Sequence, residues 1–366
     1  MTLTLYRKYR PQSFKEVIGQ NHIKVTLLSE ITSGKLAHAY LFSGPRGIGK
    51  TTLARLLAKS VNCVKPQDGE PCNNCPSCLE IMQDNSLDLI EIDAASNRGI
   101  NEIRELREQV KYAPAKSRYK IFIIDEVHML TSEAFNALLK TLEEPPAHAI
   151  FILATTELHQ LPETIISRCQ RFDFKKVSFT EIIGYLERIC SAERVKVDKK
   201  VLENVARFSQ GYVRDAVSLL GQILALGESE VSQAEASLVL PRSDLSQITI
   251  FISQIFQNNT AGNINLINQY LADGGELENF TKETIEVLRK ILVAKITNSW
   301  QELVWEIPED DLKTFMRLLE KVAANQLVGI IEILLDALTV MKRSDIIQLP
   351  LEMAIVKIDA EVFKKV

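Results

Sequence analysis

Apolar positions in the first half of this chain alternate between two patterns. Short runs that are apolar almost throughout, AYLFSG at 39–44, LDLIEID at 87–93, KIFIID at 120–125 and AIFILATT at 149–156, predict strands. Between them, ARLLAKSVNC after GKTT places Leu53, Leu56, Leu57 and Val61 on one helical face, and NEIRELREQVKY (101–112) and SEAFNALLKTLEE follow the same spacing. Continuously apolar strands must be covered on both sides. The pattern therefore predicts an α/β domain, a parallel sheet with helices on both faces.

Beyond RFDFKK (171–176) the strand pattern stops, and 180–238 reads as four helices around 182–189, 201–208, 215–226 and 232–238. From Asp244 onward only helical patterns appear, among them 247–256, 263–272, 283–300, 310–319 and 329–341. Three domains are expected: 1–177, interrupted by an insert at 63–78, then 178–241, then 242–366. A chain of 366 residues is longer than one core usually organises, which agrees with this division.

Composition narrows the classes. With 46% apolar and 25% charged residues the chain is not intrinsically disordered. Its net charge of -4 argues against a protein that coats nucleic acid, while leaving room for a locally basic surface. MTLTLYRKYRPQSF lacks the apolar core of a signal peptide, and runs such as 149–154 are too short for a bilayer. A cytoplasmic protein with no membrane partner is expected.

Two constellations carry chemistry. GPRGIGKT at 44–51 fits G-x4-G-K-[ST] and lies where the mechanism requires it, after a strand and opening a helix. Gly44, Pro45, Arg46, Gly47, Ile48, Gly49, Lys50, Thr51 and the adjoining Thr52 are the expected ATP-phosphate cradle, with Lys50 reaching the β- and γ-phosphates and the Thr51 hydroxyl ligating magnesium (Mg²⁺). KIFIIDE then delivers Asp125 to the magnesium shell and Glu126 to the attacking water. His128 reads equally as a packing residue and as a catalytic one.

The second constellation is CVKPQDGEPCNNCPSC. Cys63, Cys72, Cys75 and Cys78 offer four thiolates at metal spacing, with DGEP, NN and PS as turns between them, and in a reducing cytosol a structural zinc (Zn²⁺) is the expected use. A redox-active C-x2-C pair or unligated thiols are the alternatives. Four thiolates would leave the zinc no open position for catalysis. Cys169 and Cys190 stand apart and read as small buried residues.

YRKYRPQSFKEVIGQ, HAYLFSGPRGIGKT, the four-Cys insert, IFIIDEVHML, FNALLKTLEEPP, ILATT, SRCQRF and GYVRDAVSLL together closely resemble the γ/τ family of bacterial DNA polymerase III subunits, AAA+ clamp-loader ATPases. The motifs cover roughly 5–225. The resemblance implies an AAA+ domain, a helical lid and an all-helical collar in a hetero-pentamer with δ, δ′ and further γ/τ copies. Such a machine opens a sliding clamp and loads it on primer–template DNA, as part of the holoenzyme that carries DNA-directed DNA polymerase, a transferase. Carried onto this chain, Thr156 resembles sensor 1, Arg168 of SRC an arginine finger acting in trans, and Arg214 sensor 2. Val17 and Ile18, with Arg10 and Pro11, resemble the adenine pocket, and Arg98 and Asn101 the element that follows DNA phosphates. A short, γ-like core is implied, longer τ forms adding regions for helicase and polymerase. Two rivals share parts of the pattern: a non-hydrolysing stator such as δ′, and a branch-migration helicase.

Overall fold

In the computed structural model, which describes residues 4–226, 230–236, 239, 244–298, 300, 317–319 and 322–363, the apolar runs pair as one parallel sheet. Its strands are β1 (Ala39–Ser43), β2 (Leu89–Asp93), β3 (Lys120–Asp125), β4 (Ala149–Thr155) and β5 (Gln170–Asp173), in the order β2-β3-β4-β1-β5. The chain leaves β1 for the far edge at β2, returns through β3 and β4, then passes over β1 to β5. That reversal beside β1 opens a crevice at the carboxyl ends of the strands, the usual place for a ligand in such sheets.

Helices α2 (Asn21–Ser33), α3 (Lys50–Val61), α5 (Ile100–Val110), α6 (Ser132–Glu143) and α7 (Glu163–Ile166) cover the sheet, while α4 (Pro76–Met82) packs on α3 and α1 (Leu5–Lys8) packs against the helices that follow β5. Alternate strand residues divide between its two faces. Tyr40, Phe42, Ile123 and Ile152 pack against Ile23 and Leu27 of α2 and Leu53 and Leu57 of α3. Leu41, Phe122, Ile124 and Phe151 pack against Leu106 of α5, Leu138 of α6 and Ile165 of α7. All these residues are buried, and each such side chain contributes roughly 1.5–3 kcal/mol relative to exposure.

The first unit, Met1–Leu240, continues into α8 (Phe179–Glu193), α9 (Lys199–Phe208), α10 (Val213–Leu224) and α11 (Gln233–Ala236). Ser178 and Glu181 close a capping box that starts α8. The second unit, Pro241–Val366, contains α12 (Asp244–Phe256), α13 (Thr260–Ala272), α14 (Leu277–Thr297), α15 (Ala324–Met341) and α16 (Leu349–Glu361) around its own core, where the rings of Phe251 and Phe280 meet edge to face at 5.3 Å.

The structure departs from the sequence reading in several places. Strand pairing does not end at β5: Lys196–Val197 (β6) and Glu230–Val231 (β7) form a short parallel pair among the lid helices. Pro76 and Ser77 are not a turn but the first turn of α4, where the fixed φ of proline suits the helix and its missing N–H costs nothing. Helix α2 is absent from the sequence reading although Ile23, Leu27, Leu28 and Ile31 stand at helical spacing and face the sheet, with Val25 exposed on the other side. Helix α15 is long and apolar enough to span a membrane by length and composition, contrary to the reading that every apolar run is too short. Its Leu327, Ile330, Leu334, Ala337 and Met341 are nonetheless buried in the core of the second unit. The expected helix at 310–319 lies mostly outside the described residues, as do positions 237 and 238 of the one at 232–238.

Candidate nucleotide site and cysteine cluster

Three strand ends converge on the crevice. Ser43 of β1 is in register with Thr155 of β4, and β3 ends at Asp125 beside them. From β1 the chain runs through 44–49 into α3, whose N-terminus faces the same space. At Gly47 φ is 78°, and a Cβ there would lie 3.2 Å from that of Arg214, so the loop can lie this close to the lid only with glycine. The Gly47 carbonyl accepts a hydrogen bond from the Arg214 amide at 3.1 Å, joining the loop to the start of α10.

Lys50 is 6% exposed, and its Nζ donates to the carbonyls of Gly44 (2.7 Å) and Pro45 (2.8 Å). Burial lowers its pKa, while the carboxylates of Glu126 and Asp125 oppose that shift. The Thr51 hydroxyl donates to Asp125 Oδ2 at 2.7 Å, bringing together the two expected magnesium ligands. Thr52 is half-buried on the next position of α3, Ile48 is buried in the core and Arg46 is exposed.

Glu126 follows in a left-handed conformation (φ 47°), an arrangement that costs a non-glycine residue about 1–3 kcal/mol and tends to persist at functional sites. Its amide donates to Asp125 Oδ1 at 2.9 Å. Its Oε2 accepts from the Thr156 hydroxyl at 2.9 Å and the Thr156 amide at 3.2 Å. His128 is packed inward, Nδ1 lying 3.0 Å from the Thr155 hydroxyl and 3.5 Å from Glu126 Oε2.

The remaining site residues fall in three places. Val17 is buried in the same cluster as Ile48, Ile18 packs against the lid cluster, and Arg10 and Pro11 are half-buried on the segment before them. Burial lowers the pKa of Arg10, the nearby charge of Arg55 acting in the same direction. Arg168 follows α7, its guanidinium donating to the Thr164 carbonyl (2.8 Å) and to Glu143 (2.7 Å). Arg98 is exposed, with Nε on the Ala95 carbonyl at 3.0 Å, and Asn101 is exposed in the first turn of α5. The β2 edge that leads to them is three strand spacings from β1, about 14 Å.

Sequence reasoning missed three residues around this site. Thr155, fully buried, bridges His128 and the Glu157 amide; it is simply the first threonine of ILATT. The Tyr6 ring lies under the Arg214 guanidinium at 4.8 Å, a contact that the aromatic residues of YRKYRP could have suggested. Glu70, buried within the insert, has no local signal at all.

The sulfurs of Cys63, Cys72, Cys75 and Cys78 all lie within 4.8 Å of one another. A tetrahedral zinc with four Zn–S bonds separates its sulfurs by about 3.8 Å, so the donor set fits. Backbone N–H groups already face the sulfurs, Cys72 N donating to Cys63 Sγ and Cys75 N to Cys72 Sγ, each at 3.3 Å. The Asn74 amide leads the effects that pull the Cys72 thiol down to about 6, while burial pushes Cys78 up.

The sequence matches the families described as DNA polymerase III, delta subunit (residues 19–178), DNA polymerase III clamp loader subunit, ATPase lid domain (181–229), and DNA polymerase III subunits gamma and tau domain III (231–363). It is 42% identical to DNA polymerase III subunit tau of Bacillus subtilis over 97% of this chain and 62% of that one. It is 37% identical to DNA polymerase III subunit gamma of Buchnera aphidicola over 88% of this chain and 91% of the other. Among solved structures, the Thermotoga maritima RuvB Holliday junction branch migration motor has a TM-score of 0.48 at 20% identity, covering 73% of this chain and 86% of its own. The chain spans between half and 62% of the length of the tau relatives it matches in Bacillus, Salmonella and Escherichia. It belongs to the family of DNA polymerase III gamma and tau subunits.

Proposed function

We propose that this chain is the ATP-hydrolysing motor subunit of the DNA polymerase III clamp loader, opening the sliding clamp and loading it onto primed DNA. The observation that carries this reading is the junction at the strand ends, where Thr51 meets Asp125 at 2.7 Å and Glu126 meets Thr156 at 2.9 Å beside a buried Lys50. Phosphoryl transfer needs positioning and charge stabilisation more than covalent chemistry, and these groups supply both. Lys50 and the backbone N–H groups of 46–51 would hold the phosphates, and Thr51 and Asp125 the magnesium ion, which neutralises phosphate charge when bound.

Glu126 is the general base or water-orienting group. Its carboxylate rests on Thr156, so that residue sets the direction in which Glu126 points. Arg214 reaches the phosphates from the lid, its backbone already joined to the loop at Gly47. Val17, Ile18, Arg10 and Pro11 hold the base. The cysteine cluster is a structural zinc site, α5 with Arg98 and Asn101 meets the DNA backbone, and the second unit joins δ, δ′ and further γ/τ copies as a collar.

The testing experiment is ATPase activity of this chain alone and with purified δ, δ′ and clamp, with and without primed DNA. Strong stimulation by the full set is expected; a rate indifferent to those partners overturns the reading. The match of 19–178 to the delta-subunit family favours a second reading, a non-hydrolysing stator. Intact Lys50, Asp125 and Glu126 weigh against it, and an ATP titration separates the two.

The zinc assignment has its own test. Protein purified under reducing, chelator-free conditions is expected to carry one zinc per chain and to lose it in Cys75→Ser, since three thiolates bind the ion less tightly than four. Metal analysis giving a stoichiometry near zero for the wild type overturns it.

A further inference from the structure

We infer that Glu70, inside the cysteine insert, is a positioning residue for the nucleotide base. Glu70 is 8% exposed, and its carboxylate accepts from the Phe14 amide at 2.8 Å and the Lys15 amide at 3.0 Å. A carboxylate is buried this deeply only when such charge-assisted bonds replace water. Glu70 sits on a tight turn closed by reciprocal backbone bonds with Gln67 (2.9 and 3.1 Å), two residues before Cys72. The turn is pressed onto α2: a Cβ on Gly69, at φ 81°, would lie 3.1 Å from the Leu28 carbonyl oxygen.

The amides that Glu70 holds open the short 3-10 turn Phe14–Glu16, and Val17 follows immediately. Upstream, the same segment crosses α3, where Lys59 Nζ donates to Gln12 Oε1 at 2.8 Å. It then reaches the lid, the Tyr185 hydroxyl donating to the Tyr9 carbonyl at 2.7 Å and Lys8 pairing with Glu193 at 2.8 Å. Residues 5–18 therefore form a strap, tied to the lid at one end and to the insert at the other. Arg10, Pro11, Val17 and Ile18, the base-side residues, all lie on it. The inference rests on the ATP reading above, and it gives the insert a function of its own, since through Glu70 it fixes the base end of the site, away from the phosphates.

The base and phosphate ends can be read separately by titrating the full chain with ATP and with inorganic tripolyphosphate, alongside hydrogen exchange at the Phe14 and Lys15 amides. In Glu70→Ala, exchange at those amides is expected to accelerate and ATP affinity to fall about tenfold, while tripolyphosphate binding holds. Glu70→Gln, which keeps one acceptor oxygen, should recover part of the ATP affinity. Equal loss of both ligands, unchanged ATP affinity, or unchanged exchange at Phe14 and Lys15 overturns this inference alone. Failure of the wild type to bind ATP overturns the ATP reading and this inference with it.

Discussion

Lys50→Ala is expected to weaken ATP binding by about 10²- to 10⁴-fold, the loss that follows from removing two charge-assisted contacts to phosphate. The ammonium is held between the carbonyls of Gly44 and Pro45, which restricts the side chain within the loop. Because burial lowers its pKa, ATP affinity should begin to fall at a pH below that of an ordinary lysine. The same shift works against the fold. The unfolded chain keeps this proton to higher pH than the folded one, so the buried charge is a cost at neutral pH, relieved as pH rises from the folded pKa toward the unfolded value. A Lys50→Met protein should therefore unfold at or above the wild-type temperature while failing to bind ATP. Fluorescent-nucleotide titration checks the first effect and thermal unfolding the second. ATP affinity within about twofold of wild type would remove Lys50 from the phosphate site.

The parts of this molecule that are legible from sequence are those whose physics is local. A strand buried on both faces has to be continuously apolar, so KIFIID and AIFILATT announce the sheet, and a loop that cradles phosphates needs glycines at fixed spacing before a helix. The meeting of Thr51 and Asp125 follows from those two facts together, since the loop and β3 both open onto the carboxyl edge of the sheet. Glu70 is different. Its partners are Phe14 and Lys15, more than fifty positions away, and nothing in DGEPC distinguishes a buried carboxylate from a turn residue. Tyr6 beneath Arg214 and the junction of Gly47 with α10 are equally long-range, created only when the lid folds beside the loop. Helix α4 is hidden for another reason: Pro76 and Ser77 are common both in turns and at helix starts, and the tertiary setting chose the second.

Arg168→Ala should separate binding from catalysis. Within the chain the Arg168 guanidinium is bonded to the Thr164 carbonyl and to Glu143, and its side chain stays 34% exposed. Those contacts hold it at the end of α7 with its head partly exposed, and the proposed trans role requires a neighbouring subunit's nucleotide to meet it there. An arginine supplied in this way is worth about 10³ or more in rate, because its planar fork matches the charge that spreads over the transferring phosphoryl oxygens. The assembled complex carrying Arg168→Ala is therefore expected to bind ATP with an affinity within about twofold of wild type and to hydrolyse it about 10³-fold more slowly. Arg168→Lys should recover little of that rate, since a point charge on a flexible stem does not reproduce two parallel N–H bonds. Glu143→Ala, which releases the guanidinium from its partner on the same chain, should leave hydrolysis largely intact; if instead it matched the loss in Arg168→Ala, the ion pair itself would be the functional element and Arg168 would act within its own subunit. Full hydrolysis by the assembled Arg168→Ala complex would end the trans assignment. The arginine would then be an anchor for α7 through Glu143 and Thr164, and the dependence of hydrolysis on assembly would have to come from elsewhere.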